Sequence, residues 1–244
     1  AGNVVFSGNV SNAIYTWSNS KTTIGLGASG IDSIPSFTSL NTGTTPVTAS
    51  ISVSPSANNC VGTSSGFTIT VNPTPTVNPV ANQNLCNGIN TTAINFTGSV
   101  TNTTYHWSNN NYTIGLDSVG VGNITAFQAT NTSNVIANAT ITVVPNTNNC
   151  IGQSEDFTIT VKPTPTVNTH SNQVVCNGDT STSVMFTGSV TSSVYSWSNS
   201  DTSIGLGISG IDSIPSFTAT NVTNTPRTAI ITTIPTANGC SGGA

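Results

Sequence analysis

The stretch Tyr105-His-Trp-Ser-Asn-Asn-Asn-Tyr-Thr-Ile-Gly-Leu116 decides how the rest of the sequence is interpreted. One close variant of it precedes it in the chain and another follows it. The tryptophans at its centre, Trp17, Trp107 and Trp197, are separated by 107 − 17 = 90 and 197 − 107 = 90 residues. A constant period without insertions or deletions indicates one structural unit that is used three times.

Seven short segments of the middle copy alternate apolar and polar residues and are bounded by Gly, Asn or Pro. Alternation with period two is typical of β-strands, and no stretch has the periodicity of a helix. The predicted strands are residues 84–86, 93–97, 105–108, 112–116, 124–130, 137–143 and 156–161. This pattern predicts an all-β fold of seven-strand, immunoglobulin-like sandwiches, with an up-and-down barrel as the alternative.

The third predicted strand of each copy carries a Tyr two residues before the Trp. Because side chains two apart share a face of a strand, both rings are expected to point between the sheets. In the middle copy Phe96, Ile141 and Phe157 are expected to pack around them. The predicted core aromatic residues are Tyr15, Trp17, Tyr105, Trp107, Tyr195 and Trp197.

Two Pro-Thr-Pro-Thr segments, at residues 73–76 and 163–166, join the copies. Closely spaced prolines hold a chain extended, so we expect a stiff connection and an extended array. The predicted units are residues 1–76 (repeat 1, without its first strand), 77–166 (repeat 2, complete) and 167–244 (repeat 3, without its last strand).

The chain is shorter than three full periods, and the part that is missing is one continuous piece of the unit, the counterpart of residues 65–90. The chain is therefore expected to belong to a longer array. Completion of the sheets by a strand from another copy is the alternative.

The five cysteines follow the same period. Cys86 and Cys150 have the same separation as Cys176 and Cys240, since 150 − 86 = 64 and 240 − 176 = 64. One disulfide within each repeat is predicted, Cys86 with Cys150 and Cys176 with Cys240. Cys60 is left without a partner, because that partner would fall at 86 − 90 = −4. Regular pairing indicates an oxidising, extracellular location.

Composition limits the partners that the chain can have. Only 4% of the 244 residues are charged, and the formal net charge is −4. Three basic side chains cannot neutralise a series of phosphates, so nucleic acid is excluded as a partner. No run of about 18 apolar residues is present, so membrane insertion is not expected. Apolar residues at regular positions favour a folded chain over a disordered one.

Catalytic and metal-binding patterns do not recur with the repeat. Among seven acidic residues only Asp32 and Asp212 are equivalent, and the two histidines are not equivalent to each other. Neither an acid–base pair nor a nucleophile–histidine set is predicted. Cys and His lack the short spacing of a zinc site, and the connecting segments carry no acid for calcium. We expect no catalysis, no cofactor and no metal.

Three Asp-Ser-apolar triplets, at residues 32–34, 117–119 and 212–214, resemble the O-glycosylation acceptor of Bacteroidota. The first and third lie in identical segments, residues 29–38 and 209–218, which are otherwise interpreted as a loop that enters the fifth strand. The candidate glycosylated residues are Ser33, Ser118 and Ser213.

Several blocks recur at fixed spacing: Val175-Cys-Asn-Gly-Asp179, Phe186-Thr-Gly-Ser-Val190, Tyr195-Ser-Trp-Ser-Asn199, Ile204-Gly-Leu206, Ile214-Pro-Ser-Phe-Thr218 and Phe157-Thr-Ile-Thr-Val161. Together they resemble the PKD-like repeats of very large secreted surface proteins of Bacteroidota. The resemblance implies immunoglobulin-like sandwiches in tandem arrays, export often through the type IX secretion route, and a role in adhesion or surface display. The Asp-Phe-Gly-Asp-Gly run that follows Tyr-x-Trp in PKD domains is missing here.

The expected function is a structural stalk or fibre segment of a secreted cell-surface adhesin, with a terminal module displayed away from the cell. Its expected partners are neighbouring repeats of the same chain or other copies of it. One alternative is a self-assembling filament subunit joined by strand exchange, and another is a module that binds cell-surface glycans. Tyr112 is the only aromatic residue suited to repeated sugar contacts, and Thr22 and Thr202 replace it in the other copies.

Overall fold

The structure, a computed structural model, describes residues 1–244 and consists of β-strands joined by turns. Its helical residues are three single turns of 3-10 helix, at Thr22–Ile24, Tyr112–Ile114 and Thr202–Ile204. No helix has both the length and the apolar character needed to cross a lipid bilayer. The prediction of an all-β chain is confirmed.

Nineteen strands follow one another along the three repeats. Repeat 1 contains β1 (Val4–Val5), β2 (Ile14–Asn19), β3 (Ser29–Ile31), β4 (Ser33–Ile34), β5 (Val47–Ala57), β6 (Cys60–Val61) and β7 (Ser65–Val71). Repeat 2 contains β8 (Gln83–Cys86), β9 (Thr104–Asn109), β10 (Val119–Val121), β11 (Ala137–Thr147), β12 (Cys150–Ile151) and β13 (Glu155–Lys162). Repeat 3 contains β14 (Val184–Met185), β15 (Val194–Asn199), β16 (Ser209–Ile211), β17 (Ser213–Ile214), β18 (Ile231–Ala237) and β19 (Cys240–Ser241).

The main sheet of repeat 2 has the strand order β10-β9-β11-β13-β8, with β12 paired to β11. All neighbours in it are antiparallel except β8 and β13, which run parallel. A second, smaller layer is formed by isolated bridges that join Asn90 to Gln128 and Ile94 to Ile124. Ile94 and Ile124 share one apolar core with the inner residues of the main sheet, as expected of a β-sandwich.

The three cores differ in size because the repeats differ in strand content. Repeat 2 has a core of 13 buried residues, repeat 1 one of 7, and repeat 3 one of 5. Repeat 1 contains no counterpart of β8, and repeat 3 contains none of β13. Residues 173–176, the counterparts of β8 in repeat 3, are not part of a strand, since the strand that would pair with them is missing.

The predicted core aromatic residues all face the apolar interior, but not to the same extent. Four are less than a tenth exposed, and the other two are half-buried against the same clusters. The buried ones are Trp17, Trp197, Tyr105 and Tyr195, and the half-buried ones are Tyr15 and Trp107. Phe96, Ile141 and Phe157 are in the core that Trp107 packs against.

Each indole is covered by a glycine of the neighbouring strand, a contact that was not predicted. A Cβ atom placed on Gly120 would lie 2.1 Å from an atom of the Trp107 ring. The corresponding distance is 2.6 Å for Gly30 and 2.5 Å for Gly210, in each case to an indole atom of the same repeat. These positions exclude any side chain, so each edge strand passes directly over the ring.

The predicted fourth strand at residues 112–116 is wrong, because Tyr112–Ile114 form a 3-10 turn and no strand is present there. Ile114 and Leu116 are both buried and two residues apart, which imitates the alternation of a strand. Gly115 between them has φ = 94°, a left-handed conformation that ends the turn. Residues 93–97 and 124–130 form only isolated bridges, whereas β10 and β12 were not predicted.

The three indole N–H groups differ in a way that predicts different effects of mutation. Trp197 Nε1 donates a hydrogen bond of 2.9 Å to the carbonyl of Ser213, whereas Trp107 Nε1 is buried without a partner. Trp197→Phe leaves an acceptor unsatisfied, but Trp107→Phe removes an unsatisfied donor. We therefore expect Trp107→Phe to cost about 1–3 kcal/mol less local stability than Trp197→Phe.

Hydrogen exchange of the amides in β2, β9 and β15, followed by mass spectrometry, measures the local free energy around each of the three tryptophans. Trp17→Phe is the matched control, because Trp17 Nε1 also donates a 2.9 Å hydrogen bond, to the carbonyl of Ser33. An equal or larger loss for Trp107→Phe than for both other variants would contradict the prediction.

Candidate functional site

The junction between repeats 2 and 3 is closed by the one disulfide of the structure. Cys86 ends β8, and Cys240 begins the short strand β19 of the next repeat. The two are bonded, with their Cα atoms 5.7 Å apart, although they lie 154 positions apart in the sequence. Cys240 is almost fully buried, with 2% of its surface exposed. The bond therefore joins two successive repeats covalently.

The predicted pairings, Cys86 with Cys150 and Cys176 with Cys240, are wrong. Strand β8 runs parallel to β13, which places Cys86 opposite Lys162, at the Ala137 end of β11. Cys150 pairs with Thr147, at the other end of that 11-residue strand. The two ends are about 33 Å apart, far beyond the Cα separation of about 7 Å that a disulfide can span.

The other three cysteines carry no disulfide. Cys60 and Cys176 are exposed, and Cys150 is half-buried. Cys176 is the counterpart of Cys86, because 176 − 86 = 90. Cys150 is the counterpart of Cys240, since 240 − 150 = 90, and Cys60 lies a further 90 residues before it. Each free cysteine is thus the counterpart, in another repeat, of one of the two bonded cysteines.

Asparagine side chains hold the peptide segments at the junction together. The backbone N–H of Asn87 donates to the carbonyl of Lys162 (2.8 Å), and its amide nitrogen donates to Thr164 Oγ1 (3.2 Å). Its amide oxygen accepts from the backbone N–H of Asn131 (2.8 Å). The Asn131 side chain in turn donates to the carbonyl of Val161 (2.8 Å) in the interior. The start of the connecting segment is fixed on two sides by these bonds.

The two Pro-Thr-Pro-Thr segments, called the proline segments below, bury their prolines and pack against the repeat that follows them. Pro73 and Pro75 are among the fully buried side chains, although residues 73–76 were assigned to repeat 1. A Cβ atom on Gly152 would lie 1.9 Å from the carbonyl oxygen of Pro75. One on Gly98 would lie 1.8 Å from that of Thr76. Repeat 2 therefore receives this segment in a slot where no side chain fits.

The second proline segment packs in the same way. A Cβ atom on Gly242 would lie 2.0 Å from the carbonyl oxygen of Pro165, and one on Gly188 would lie 1.7 Å from that of Thr166. Gly188 and Gly242 are the counterparts of Gly98 and Gly152. One glycine pair in each of repeats 2 and 3 thus accepts the preceding proline segment.

The junction between repeats 1 and 2 has the proline segment but no disulfide. A cleft of about 450 Å³ lies here, between residues 44–46 and 73 on one side and residues 100–102, 104, 106 and 146–149 on the other. Its walls are mostly Thr and Asn, and they carry no acidic residue. Asn149, at its edge, directly precedes the free Cys150.

Ionisable side chains are few and scattered. The pKa of the Asp201 carboxyl is below its ordinary value because the Ser203 hydroxyl and backbone N–H donate to it, with Arg227 3.0 Å away. Burial raises the pKa of the Tyr105 hydroxyl. No group of three or more His, Cys, Asp or Glu side chains is placed to hold a metal ion. The arrangement at the junctions consists of packing, hydrogen bonds and thiol chemistry.

The structure gives the recurring Asp-Ser positions a conformational role. Asp32 and Asp212 have φ = 61° and 62°, and each carboxylate accepts the backbone N–H of the core tyrosine of its repeat (2.9 Å). Ser33 and Ser213 follow in the half-buried strands β4 and β17, whereas Ser118 is exposed in the turn before β10. Glycosylation of these three serines stays a prediction.

Comparisons with known proteins give no assignment for the chain. No protein-family model matches it, and no curated protein matches it. The resemblance to PKD-like repeats therefore stays a prediction, and the functional interpretation depends on the 90-residue period and on the contacts at the junctions.

The disulfide assignment can be tested directly. Proteolysis of the oxidised protein without reduction, followed by mass spectrometry, should yield a linked pair of peptides that contains Cys86 and Cys240. Replacing both by Ser should cost about 2–5 kcal/mol at this junction, because the bond restricts the unfolded chain. Cys60→Ser with Cys176→Ser is the control, and it should cost little, since both thiols are exposed. A linked peptide that contains Cys86 and Cys150 would refute the assignment.

The glycine slots predict different effects for two equivalent substitutions. Gly152→Ala should destabilise the edge of repeat 2 by about 1–3 kcal/mol, because its Cβ would collide with the Pro75 carbonyl. Gly62→Ala, at the same place in repeat 1, should change stability by less than about 1 kcal/mol, since its nearest neighbour is the Pro55 ring at 3.1 Å. Hydrogen exchange at the β11–β12 and β5–β6 hairpins measures both effects. Equal losses in the two variants would rule out a slot that is filled only in repeat 2.

Proposed function

We propose that this chain is a segment of an extracellular stalk, in which tandem immunoglobulin-like sandwiches of the PKD-like type carry a terminal adhesive module away from a cell. The observation that carries the proposal is the large exposed surface of the chain. Two further properties support it: the fixation of the junctions, and a composition that offers few sites for a soluble ligand.

The accessible surface is larger than that of a compact protein of the same mass. It amounts to 14393 Å² for a chain of 24.8 kDa. A compact monomer of this mass exposes about 10,200 Å² by the usual scaling of surface with mass. Only 42 of the 244 residues are buried. An excess of about 40% is expected of units placed in a row, because each contacts its neighbours over a small area.

The junctions favour stiffness over free hinge motion. A flexible linker is exposed and makes few contacts, but the prolines of these segments are buried and their carbonyl groups lie against glycines of the following repeat. Between repeats 2 and 3 the Cys86–Cys240 bond adds a second connection beside the main chain. Two attachment points between neighbouring units restrict both bending and rotation, as a stalk requires.

The surface chemistry is that of a spacer. Charged residues make up 4% of the chain, and the one ion pair, Arg227 with Asp201, is exposed and therefore contributes little stability. Tyr112 is exposed, but repeats 1 and 3 carry Thr at its place. Lys21 and Arg227 are the only sites for trypsin-like proteases, because the third basic residue, Lys162, precedes a proline, and this scarcity suits an exposed rod.

A self-assembling filament subunit is the second candidate, and one observation favours it. Strand β7 of repeat 1 pairs only with β5, so its other edge is free, whereas its counterpart β13 is paired on both sides. A free edge is a template for an additional strand from another molecule.

Small-angle X-ray scattering of the oxidised chain distinguishes a rod from a globule. Strands of 11 residues span about 36 Å, so three units in a row extend over about 110 Å, with a radius of gyration near 30 Å. A compact chain of 244 residues has a radius of gyration of about 18 Å. The control is the double variant Cys86→Ser with Cys240→Ser, which should stay extended but bend more. If the protein without substitutions has a radius of gyration as small as that of a compact chain, the stalk proposal is refuted.

A further inference from the structure

An apolar groove crosses repeat 1 where repeats 2 and 3 hold a proline segment. Its volume is about 860 Å³, and Phe6, Gly8, Tyr15, Pro55, Gly62 and Phe67 are among its walls. None of the residues that line it is Asp, Glu, Lys or Arg. This groove, which we call the repeat 1 groove, continues to the free edge of β7.

The equivalent residues of repeat 2 show what such a groove holds. Gly98 and Gly152, the counterparts of Gly8 and Gly62, lie against the carbonyl oxygens of residues 76 and 75. Around Gly8 and Gly62 a Cβ atom would meet only Tyr15 and Pro55 of repeat 1 itself. Repeat 1 thus has the same slot without the segment that fills it.

Side chains that line the groove are more exposed in repeat 1 than their counterparts in repeat 2, as expected if the groove of repeat 1 is empty. Phe157 of repeat 2 is 2% exposed, and its counterpart Phe67 is 37% exposed. In repeat 2 the core is covered by Val77, Val80 and Leu85, which follow the proline segment. Their counterparts in repeat 1 would fall before position 1, so residues 1–76 contain none of them.

The strand edge beside the groove fixes the direction and register of an occupant. In repeat 2 the segment after the prolines forms β8, parallel to β13, with Gln83 opposite Ile159 and Cys86 opposite Lys162. Shifted by 90 residues, these partners become Ile69 and Asn72. An occupant in this register runs parallel to β7 and brings its cysteine to the end of repeat 1.

The Cys86–Cys240 bond indicates which thiol would lie next to the cysteine of the occupant at the end of repeat 1. Cys86 is bonded to Cys240 in the hairpin of the following repeat. The counterpart of Cys240 one repeat earlier is Cys150, which is free and half-buried. A half-buried free thiol at this position is therefore explained if its partner arrives with the occupant.

We propose that the repeat 1 groove binds an extended segment of a further repeat, with the pattern Pro-Thr-Pro-Thr-Val and a cysteine nine residues after the Val, and that this cysteine bonds to Cys150. Residues 73–86 and 163–176 of this chain have that pattern but already serve repeats 2 and 3. The proposal depends on the proposed stalk in one respect, because the occupant is expected to come from another repeat of the same array. Docking is nevertheless measured independently of the overall shape of the chain.

A synthetic peptide with the sequence of residues 73–86 is the probe, with its cysteine activated as a mixed disulfide with thionitrobenzoate. The Cys150 thiolate attacks the cysteine sulfur of the peptide, and a disulfide forms between them. Thionitrobenzoate leaves with the electron pair of the broken S–S bond, and the thiol proton goes to solvent. The full chain with Cys60→Ser and Cys176→Ser leaves Cys150 as the only free thiol, because the Cys86–Cys240 bond is retained.

The expected result is release of thionitrobenzoate at least about tenfold faster than with a scrambled peptide of the same composition, because docking raises the local concentration of the reacting sulfur. The same peptide with Ser in place of its cysteine should slow the reaction by competition. Gly62→Ala should abolish the advantage by blocking the slot, and Gly27→Ala, where a Cβ meets nothing within 4 Å, should preserve it. Circular dichroism establishes that both variants fold.

Three results would overturn the proposal. Equal rates for the ordered and scrambled peptides would show that the groove does not select this segment. An unchanged rate in the folded Gly62→Ala variant would place the reaction outside the groove. If self-association of the chain protects Cys150 from the activated peptide, the groove binds a second whole copy of the chain instead of an extended segment. None of these results bears on the radius of gyration, so the stalk and the groove can fail separately.

Discussion

The burial of a proline segment against a pair of glycines is the contact on which the arrangement of the repeats depends. Proline has no N–H group that needs a partner, and its fixed φ means that little backbone entropy is lost when the segment is ordered. The glycines let the two backbones approach to distances that any Cβ atom would forbid. As a result, each connection belongs to the core of the next unit, and the orientation of one repeat is set by the packing of its neighbour.

Much of the sandwich could be predicted from the sequence because its strands obey simple alternation. Strands β9, β11 and β13 follow from buried residues at every second position. Alternation failed at Ile114 and Leu116, because a 3-10 turn that ends at a left-handed Gly115 also places side chains two apart in the core. The glycine that covers each indole could not be predicted either, because a sequence does not show which strand passes over a ring.

The disulfide could not be predicted from spacing alone, because two kinds of pairing are compatible with the same period. Cys86 can be matched with Cys150 of its own repeat or with Cys240, which is the counterpart of Cys150 in the next repeat. The choice between them depends on the direction of β8, which lies parallel to β13 and brings Cys86 to the end that faces the next repeat. Strand direction is a property of the folded sheet, so the junction became apparent only in the structure.

The Cys86–Cys240 bond also determines how the chain would respond to mechanical tension. A force applied at the two ends of the chain passes from β8 directly to β19, so the residues between the two cysteines carry none of it along their backbone. Fully extended, those 240 − 86 − 1 = 153 residues would add about 500 Å of length. That length stays locked while the bond is oxidised, and a reductant, not a stronger pull, is what releases it.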